Sequence, residues 1–231
     1  MSTAERTAEV LRGVESLMLE KFRAEPFHNF RLLYGDQLSD LLPGGTCSDK
    51  TLSFCDVARR RGFEVSLHSG YIDGEEKHRL ARVHVDGRVF FADIGNGWPA
   101  LRLYPADREV AFRCFGIGFR TEVAATRLSV FCERHGREVL QLEVDVQAKP
   151  EHTILAAIGS RFTSGIVYPF SNSLRFSLVV GDRFMFLRGE RLEIYGEDSF
   201  EEVNGIGHAE LPRVLYDYFG YDFRHIDWPE R

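Results

Sequence analysis

The chain has 231 residues, 44% of them hydrophobic and 28% charged, with 29 Lys and Arg against 35 Asp and Glu and a formal net charge of −6. A chain of this length and composition lies far from the low-hydrophobicity regime of disorder, and it buries roughly 70% of its unfolded surface without a disulfide or metal staple. Net acidity excludes nucleic acid as an expected partner, because phosphate binding is driven by clustered Lys and Arg.

Residues 1–25 carry Glu5, Glu9, Glu15, Glu20 and Glu25 among spaced apolar residues, unlike the basic start and solid apolar core of a signal peptide. No segment reaches the roughly 18 apolar residues of a membrane helix, so no membrane partner is expected. The four cysteines, Cys47, Cys55, Cys114 and Cys132, form no C-x-x-C pair. Neither zinc nor a disulfide framework is indicated, and a reducing cytoplasm with free thiols is expected.

Val10, Leu11, Val14, Leu17, Met18 and Phe22 recur at spacings of three and four, which predicts an amphipathic helix over residues 2–22 ended by Pro26. A loop and a short apolar stretch, 27–42, lead to Pro43-Gly44-Gly45-Thr46-Cys47 and a second helix over 47–61, stopped by Gly62. Thr46 with Asp49 three residues on matches a capping box, and Leu52, Cys55, Val57 and Ala58 supply the inward stripe.

From Phe63 the period becomes alternating. The run 78–94 contains Asp86-Gly87 between β-rich segments, a hairpin signal that pairs Val85 with Arg88 and Arg82 with Phe91. Strands are expected near 109–115, 117–123, 127–133, 138–146, 173–180, 183–188 and 191–195, and helices over 150–162 and 208–219. Helices first, then many short antiparallel strands, then a smaller mixed segment predict an α+β fold.

Cys47 opens a helix, where unpaired N–H groups and the positive end of the macrodipole favour thiolate over thiol. Gly44-Gly45 ahead of it lets the backbone bend tightly and another group approach the sulfur. In the hairpin register His78 and Asp93 are diagonal neighbours on one face, within reach of a histidine–carboxylate hydrogen bond. Ala81, Val83, Val85, Phe90, Ala92 and Ile94 form the opposite, core-like face. A cysteine, a histidine and an orienting carboxylate are the parts of an activated thiol nucleophile. The same residues also admit a plainer reading, an inert buried thiol with a histidine and an aspartate that merely end strands.

These residues resemble the arylamine N-acetyltransferase family. The matching stretches are Pro26-Phe27-His28-Asn29-Phe30, Gly44-Gly45-Thr46-Cys47, Gly62-Phe63, His78, and Asp93-Ile94-Gly95-Asn96-Gly97, with His78 fifteen positions before Asp93. The last part of the chain, Ser171 to Arg188 and a helix ending Tyr218-Phe219-Gly220, is similar at lower specificity. The resemblance implies an N-terminal helical bundle over 1–64 carrying the nucleophile, a central antiparallel β-barrel over 65–148 carrying His78 and Asp93, and a small C-terminal α/β domain over 149–231.

It also implies Cys47, His78 and Asp93 as a catalytic triad. Phe27, Gly45, Thr46, Gly95, Asn96 and Gly97 would then bind substrate or donor. No bound cofactor is implied; acetyl-CoA or another acyl thioester would be the co-substrate and a small aromatic amine the acceptor. The chain departs from the family pattern where Leu42-Pro43 replace an Arg before the Gly-Gly pair, where Asn96 replaces the Phe of a Gly-Phe-Gly loop, and in a shorter segment before Cys47.

Two other readings share this fold. One is an amide synthase or cyclising enzyme of aromatic natural-product biosynthesis that does not use acetyl-CoA. The other is a non-catalytic protein that holds an aromatic ligand. Cys55, Cys114 and Cys132 read as core, His84 as no metal ligand for want of a second carboxylate or cysteine at ligand spacing, and Arg59-Arg60-Arg61 as a solvated helix end.

Overall fold

The apolar stripe of the N-terminal segment becomes α1 (Thr3–Ala24), which buries Val14, Leu17, Met18 and Phe22. Ser2 caps it by accepting from the Glu5 N–H, while Glu5 Oε2 accepts from the Ser2 N–H at 2.6 Å. The computed structural model describes residues 2–161, 168, 170–226 and 228, with 36 and 37 in backbone only. After α1 come β1 (Phe27–His28), α2 (Phe30–Tyr34), α3 (Asp36–Ser39) and α4 (Cys47–Arg60). The two long helices appear within two residues of their expected ends.

Next follow β2 (Glu64–Ile72), β3 (Glu75–Val85), β4 (Arg88–Ala92), β5 (Tyr104–Pro105), β6 (Ala111–Cys114), β7 (Ile117–Ala124), β8 (Arg127–Arg134) and β9 (Arg137–Asp145). They form one antiparallel sheet in the order β5-β4-β3-β2-β9-β8-β7-β6. The β3–β4 register is the one the Asp-Gly turn dictates, Val85 opposite Arg88 and Arg82 opposite Phe91. Asp86 (φ 47°) and Gly87 (φ 75°) both take the positive φ that a two-residue hairpin turn of this twist requires.

The expected barrel is corrected to an open sheet whose edges are β5 and β6. β5 has only two residues, and Pro105 has no N–H with which to extend a ladder.

The remaining elements are α5 (Glu151–Gly159), β10 (Arg175–Val180), β11 (Arg183–Arg188), β12 (Arg191–Tyr195), β13 (Phe200–Val203), a 3₁₀ turn (His208–Glu210) and α6 (Leu211–Phe219). The expected helix over 150–162 ends at Gly159, and position 162 lies outside the described residues. A second antiparallel sheet has the order β1-β10-β11-β12-β13. It recruits β1 from the N-terminal segment, with Phe27 opposite Ser177 and His28 opposite Phe176.

Two apolar clusters hold these layers together. The larger packs Val14, Met18 and Phe22 of α1 and Phe54, Cys55 and Ala58 of α4 against the large sheet, where Leu80, Ala81, Val83, Phe90, Phe91 and Ala92 are buried. The smaller packs Leu211, Leu215 and Phe219 of α6 against Phe176, Leu178, Met185, Leu187 and Ile194 of the second sheet. At about 1.5–3 kcal/mol for each fully buried large side chain, these layers fix the relative position of α4, β3 and β10. Those three elements carry the candidate site.

Candidate active site

Gly44 and Gly45, at φ 94° and 129°, hold backbone conformations that side-chain-bearing residues rarely adopt. A Cβ on Gly44 would run into the Pro26 carbonyl. Freed of side chains, this stretch lies alongside β1: the Gly45 N–H donates to Pro26 O at 3.2 Å, and the His28 N–H donates to Gly45 O at 2.9 Å. The next residue, Thr46, caps α4. The Asp49 carboxylate accepts from the Thr46 N–H at 3.0 Å and from its hydroxyl at 2.9 Å. Cys47 is thereby set at the first position of a 14-residue helix, nearly buried at 8% exposure.

The β3–β4 ladder stops at Ala81–Ala92, and beyond it His78 and Asp93 meet. His78 Nε2 lies 2.7 Å from Asp93 Oδ1, and both side chains are buried. With Nε2 so engaged, Nδ1 is the ring nitrogen left for the Cys47 thiol, whose pKa the histidine lowers. The sulfur also lies 3.8 Å from the Lys77 carbonyl. Asn96 Nδ2 donates to Asp93 Oδ2 at 3.1 Å, and Asn96 Oδ1 accepts from the Trp98 N–H at 3.2 Å. Both carboxylate oxygens of Asp93 are therefore engaged.

Burial pushes the Cys47 thiol up, but the His78 hydrogen bond, the charges of His78 and Arg79 and a backbone hydrogen bond from Arg79 outweigh it and hold its pKa below the ordinary value. Burial pulls His78 down, yet the charge and hydrogen bond of Asp93, together with Cys47, raise it to about 10. Both shifts run in the direction that favours thiolate on Cys47 and imidazolium on His78. The other thiols go the opposite way under burial: Cys55 is pushed up to about 12, Cys132 to about 11, and Cys114 upward.

The thiol opens into a cavity of about 230 Å³ lined by Phe27, Trp98, Tyr168, Phe170 and Phe186, with Gln141, Lys77 and Arg175 as its polar wall. An engineered cavity of roughly 150 Å³ suffices to bind benzene, so this one has room for a substituted ring. Phe27 packs edge-on against Phe170 and Phe186, and Trp98 edge-on against Phe186 at 4.8 Å between centroids.

No protein-family model matches the sequence, and no curated protein does. Solved structures do. The arylamine N-acetyltransferase of Nocardia farcinica superposes with a TM-score of 0.76 over 99% of this chain and 90% of its own, at 21% identity. That of M. smegmatis gives 0.76 over 95% and 89%, at 19% identity. The Mycobacterium marinum enzyme, solved in complex with CoA, gives 0.75 over 94% and 89%, also at 19% identity.

This chain has the arylamine N-acetyltransferase fold. Within that fold, the structure brings Cys47, His78 and Asp93 together, and Phe27, Gly95, Asn96 and Gly97 line the cavity beside them. Gly45 and Thr46, expected at the substrate, do not line it: Gly45 lies against Asp49 and the Pro26 backbone, and the Thr46 hydroxyl is held by Asp49.

Gly95 has a tight steric role, since a Cβ there would sit 2.6 Å from Arg79 O and 2.8 Å from Cys47 O. Sequence reasoning missed Arg79, Trp98, Gln141, Tyr168, Phe170, Arg175 and Phe186. Only Arg79 had a local signal, its position next to His78. His84, set aside as a ligand, lies 2.6 Å from Arg82 Nη1, and Arg59, Arg60 and Arg61 pair with Glu151, Asp56 and Glu20. Among the described residues no three metal-ligating side chains converge, and no helix is long and apolar enough to cross a membrane.

Proposed function

We propose that the protein is a cysteine-dependent acyltransferase that moves an acyl group from a CoA-type thioester to an aromatic amine through an acyl-Cys47 intermediate. The observation that carries this reading is the depressed Cys47 thiol joined to the buried His78–Asp93 pair at the mouth of an aromatic cavity. Support for the thioester comes from the fold shared with an arylamine N-acetyltransferase solved with CoA.

The Cys47 thiolate attacks the thioester carbonyl carbon and forms a tetrahedral adduct. As that adduct collapses, the carbon–sulfur bond to the donor breaks, and the His78 imidazolium protonates the departing thiolate. His78, now neutral, takes a proton from the amine as its nitrogen attacks the acyl carbon. Loss of Cys47 as thiolate then releases the amide and restores the ion pair. Asp93 holds the imidazole orientation through both halves, and Asn96 holds Asp93.

The test is intact-protein mass after mixing with acetyl-CoA. The expected result is an adduct of about 42 Da that is absent from Cys47→Ala, as covalent nucleophilic catalysis requires. A wild-type protein that gains no mass from acetyl-CoA or a longer acyl-CoA, while Cys47 alkylates rapidly, shifts the reading to an amide synthase with another donor.

A further inference from the structure

Among the described residues no carboxylate neutralises Arg79, although it is a cation buried beside the triad. It follows His78 on β3, is 6% exposed and makes no ion pair with any of them. Its Nη1 donates to His78 O at 2.7 Å, while Nε is sealed from solvent without a partner. A guanidinium keeps its proton in a folded protein, so Arg79 does not escape the cost of burial by becoming neutral.

The carboxylates of the surrounding elements are taken. On β3 itself, Glu75 pairs with Lys77 at 3.2 Å and Glu76 with Lys149 at 2.5 Å. At the end of β4 both Asp93 oxygens are held, by His78 and by Asn96. On α4, Asp49 serves Thr46 and Arg161. Ser69 stands opposite Arg79 on β2, and burial pushes the Tyr168 phenol up, which keeps it neutral. The group left near Arg79 to carry a negative charge is the sulfur of Cys47. The two residues are close: a Cβ on Gly95 would sit 2.6 Å from Arg79 O and 2.9 Å from Cys47 Cα, so one glycine separates their backbones.

We propose that Arg79 is a positioning residue, a fixed counter-ion that takes the Cys47 thiolate as its partner and favours release of the acyl group from it. The release role rests on the acyl-transfer reading; the pairing with the thiolate does not. In the free enzyme the sulfur faces two cations, His78 and Arg79. Acylation removes the negative charge, and His78 gives up its own charge when it protonates the departing donor thiolate. Arg79 alone keeps its charge, so the acyl-enzyme holds a buried guanidinium without an anion, the costly arrangement for a buried ion. When the amine nitrogen attacks and the carbon–sulfur bond breaks, the electron pair goes to sulfur and restores the anion beside Arg79. The guanidinium thus makes Cys47 a better leaving group and disfavours a long-lived thioester.

Two variants separate charge from hydrogen bonding. Arg79→Gln keeps a donor for His78 O and removes the charge, and Arg79→Lys keeps the charge. The first measurement is iodoacetamide alkylation of Cys47 on the unacylated protein as a function of pH. In Arg79→Gln the rise should move up by about one pH unit, so that alkylation at the foot of the profile falls by about tenfold. Arg79→Lys should stay near the wild type. The second measurement is the lifetime of the acyl-enzyme, read by intact mass after acylation with acetyl-CoA, removal of the donor and addition of aniline. The Arg79→Gln acyl-enzyme should persist severalfold longer than the wild-type one, and the Arg79→Lys one should not.

A wild-type profile in Arg79→Gln overturns the proposal. So does an equal shift in both variants, because shape rather than charge would then matter. If Arg79→Gln does not fold, Arg79→Lys decides: alkylation near the wild-type rate supports the pairing, and a profile moved to that of an ordinary thiol overturns it. A shifted profile with an unchanged acyl-enzyme lifetime overturns the release role. If no acyl-CoA acylates the wild type while the profile still shifts, the acyl-transfer reading fails and the pairing of Arg79 with Cys47 stands.

Discussion

Asp93 Oδ1 meets His78 Nε2 at 2.7 Å just beyond the last rung of a ladder whose register is set by the Asp86-Gly87 turn. A turn at the far end of the hairpin thus decides which carboxylate orients the histidine at Cys47. A one-residue slip would move every side chain of β4 to the other face.

The charge state of Cys47 follows from that contact. Its thiolate forms as pH rises through a pKa held below the ordinary thiol value, and the imidazolium that stabilises it is lost as pH rises through about 10. Alkylation of Cys47 by iodoacetamide should rise at a lower pH than that of an ordinary thiol, and change again near 10 as His78 loses its proton. Cys55, Cys114 and Cys132, all pushed upward, should stay unreacted at neutral pH. His78→Gln should slow Cys47 alkylation at neutral pH by about tenfold or more, because burial is then opposed only by Arg79. Peptide mapping after timed alkylation reads this out, and equal labelling of Cys47 and Cys132 would refute it.

Asn96 holds the second oxygen of Asp93 and is itself held by the Trp98 N–H. Asn96→Ala leaves a fully buried carboxylate oxygen without that donor, at a cost of about 1–3 kcal/mol seen as a lower urea midpoint. The acylation rate should also fall severalfold with little change in thioester affinity, since Asn96 acts through Asp93. Stopped-flow measurement of thiol release separates rate from affinity; a change in affinity alone would mean that Asn96 only lines the cavity.

Gly95 allows its loop to pass between the Arg79 carbonyl and the backbone of Cys47, contacts too close for a Cβ. Gly95→Ala should push the Asp93–Asn96 segment away from α4. It should cost about 1–3 kcal/mol of stability, as overpacking does in a close-packed interior. Activity should drop further than stability explains, so that folded Gly95→Ala at low temperature still acylates slowly. Wild-type rates in a folded variant would show that the loop tolerates the displacement.

How much of this was legible in the sequence depended on the range of the interactions. Asp86-Gly87, the Thr46–Asp49 cap and the Gly44-Gly45 bend are local: the turn set His78 against Asp93, and the cap and bend set Cys47 at a helix start, without knowledge of the fold. The cavity wall is not local. β1 has only two residues and no alternation to read, yet its pairing with β10 brings Phe27 to Phe170 and Phe186 and sets Arg175 beside the thiol. Gln141 is the residue skipped where the β8–β9 register shifts, between Leu140 opposite Phe131 and Leu142 opposite Val130, and nothing in the alternating sequence around it signals that its amide is sealed without a partner among the described residues. The open edge of the large sheet was equally hidden, because it turns on a two-residue strand ending in Pro105.

Lys50 makes the last prediction. On α4, one turn from Cys47, it is 1% exposed, donates to the Glu25 carbonyl and lies over the Phe22 ring at 5.0 Å. Burial draws its pKa down to about 7, with Glu25 opposing the shift and Lys21 adding to it. Below pH 7 the folded chain therefore carries a buried ammonium at full cost. Between about 7 and the ordinary lysine value of 10.5, folded Lys50 sheds its proton while the unfolded chain keeps it, so the wild type gains stability as pH rises across that window. Lys50→Met removes the charge and keeps the volume, and Glu25 retains its partners Lys21 and Ser53. At pH 6 the variant should be as stable as the wild type or more so, by up to about 1–4 kcal/mol, the range found when buried ions give way to apolar side chains. That advantage should shrink by pH 9. Urea unfolding at the two pH values decides it: a Lys50→Met variant that loses stability at pH 6 and recovers at pH 9 would reverse the sign and show that the ammonium is held favourably.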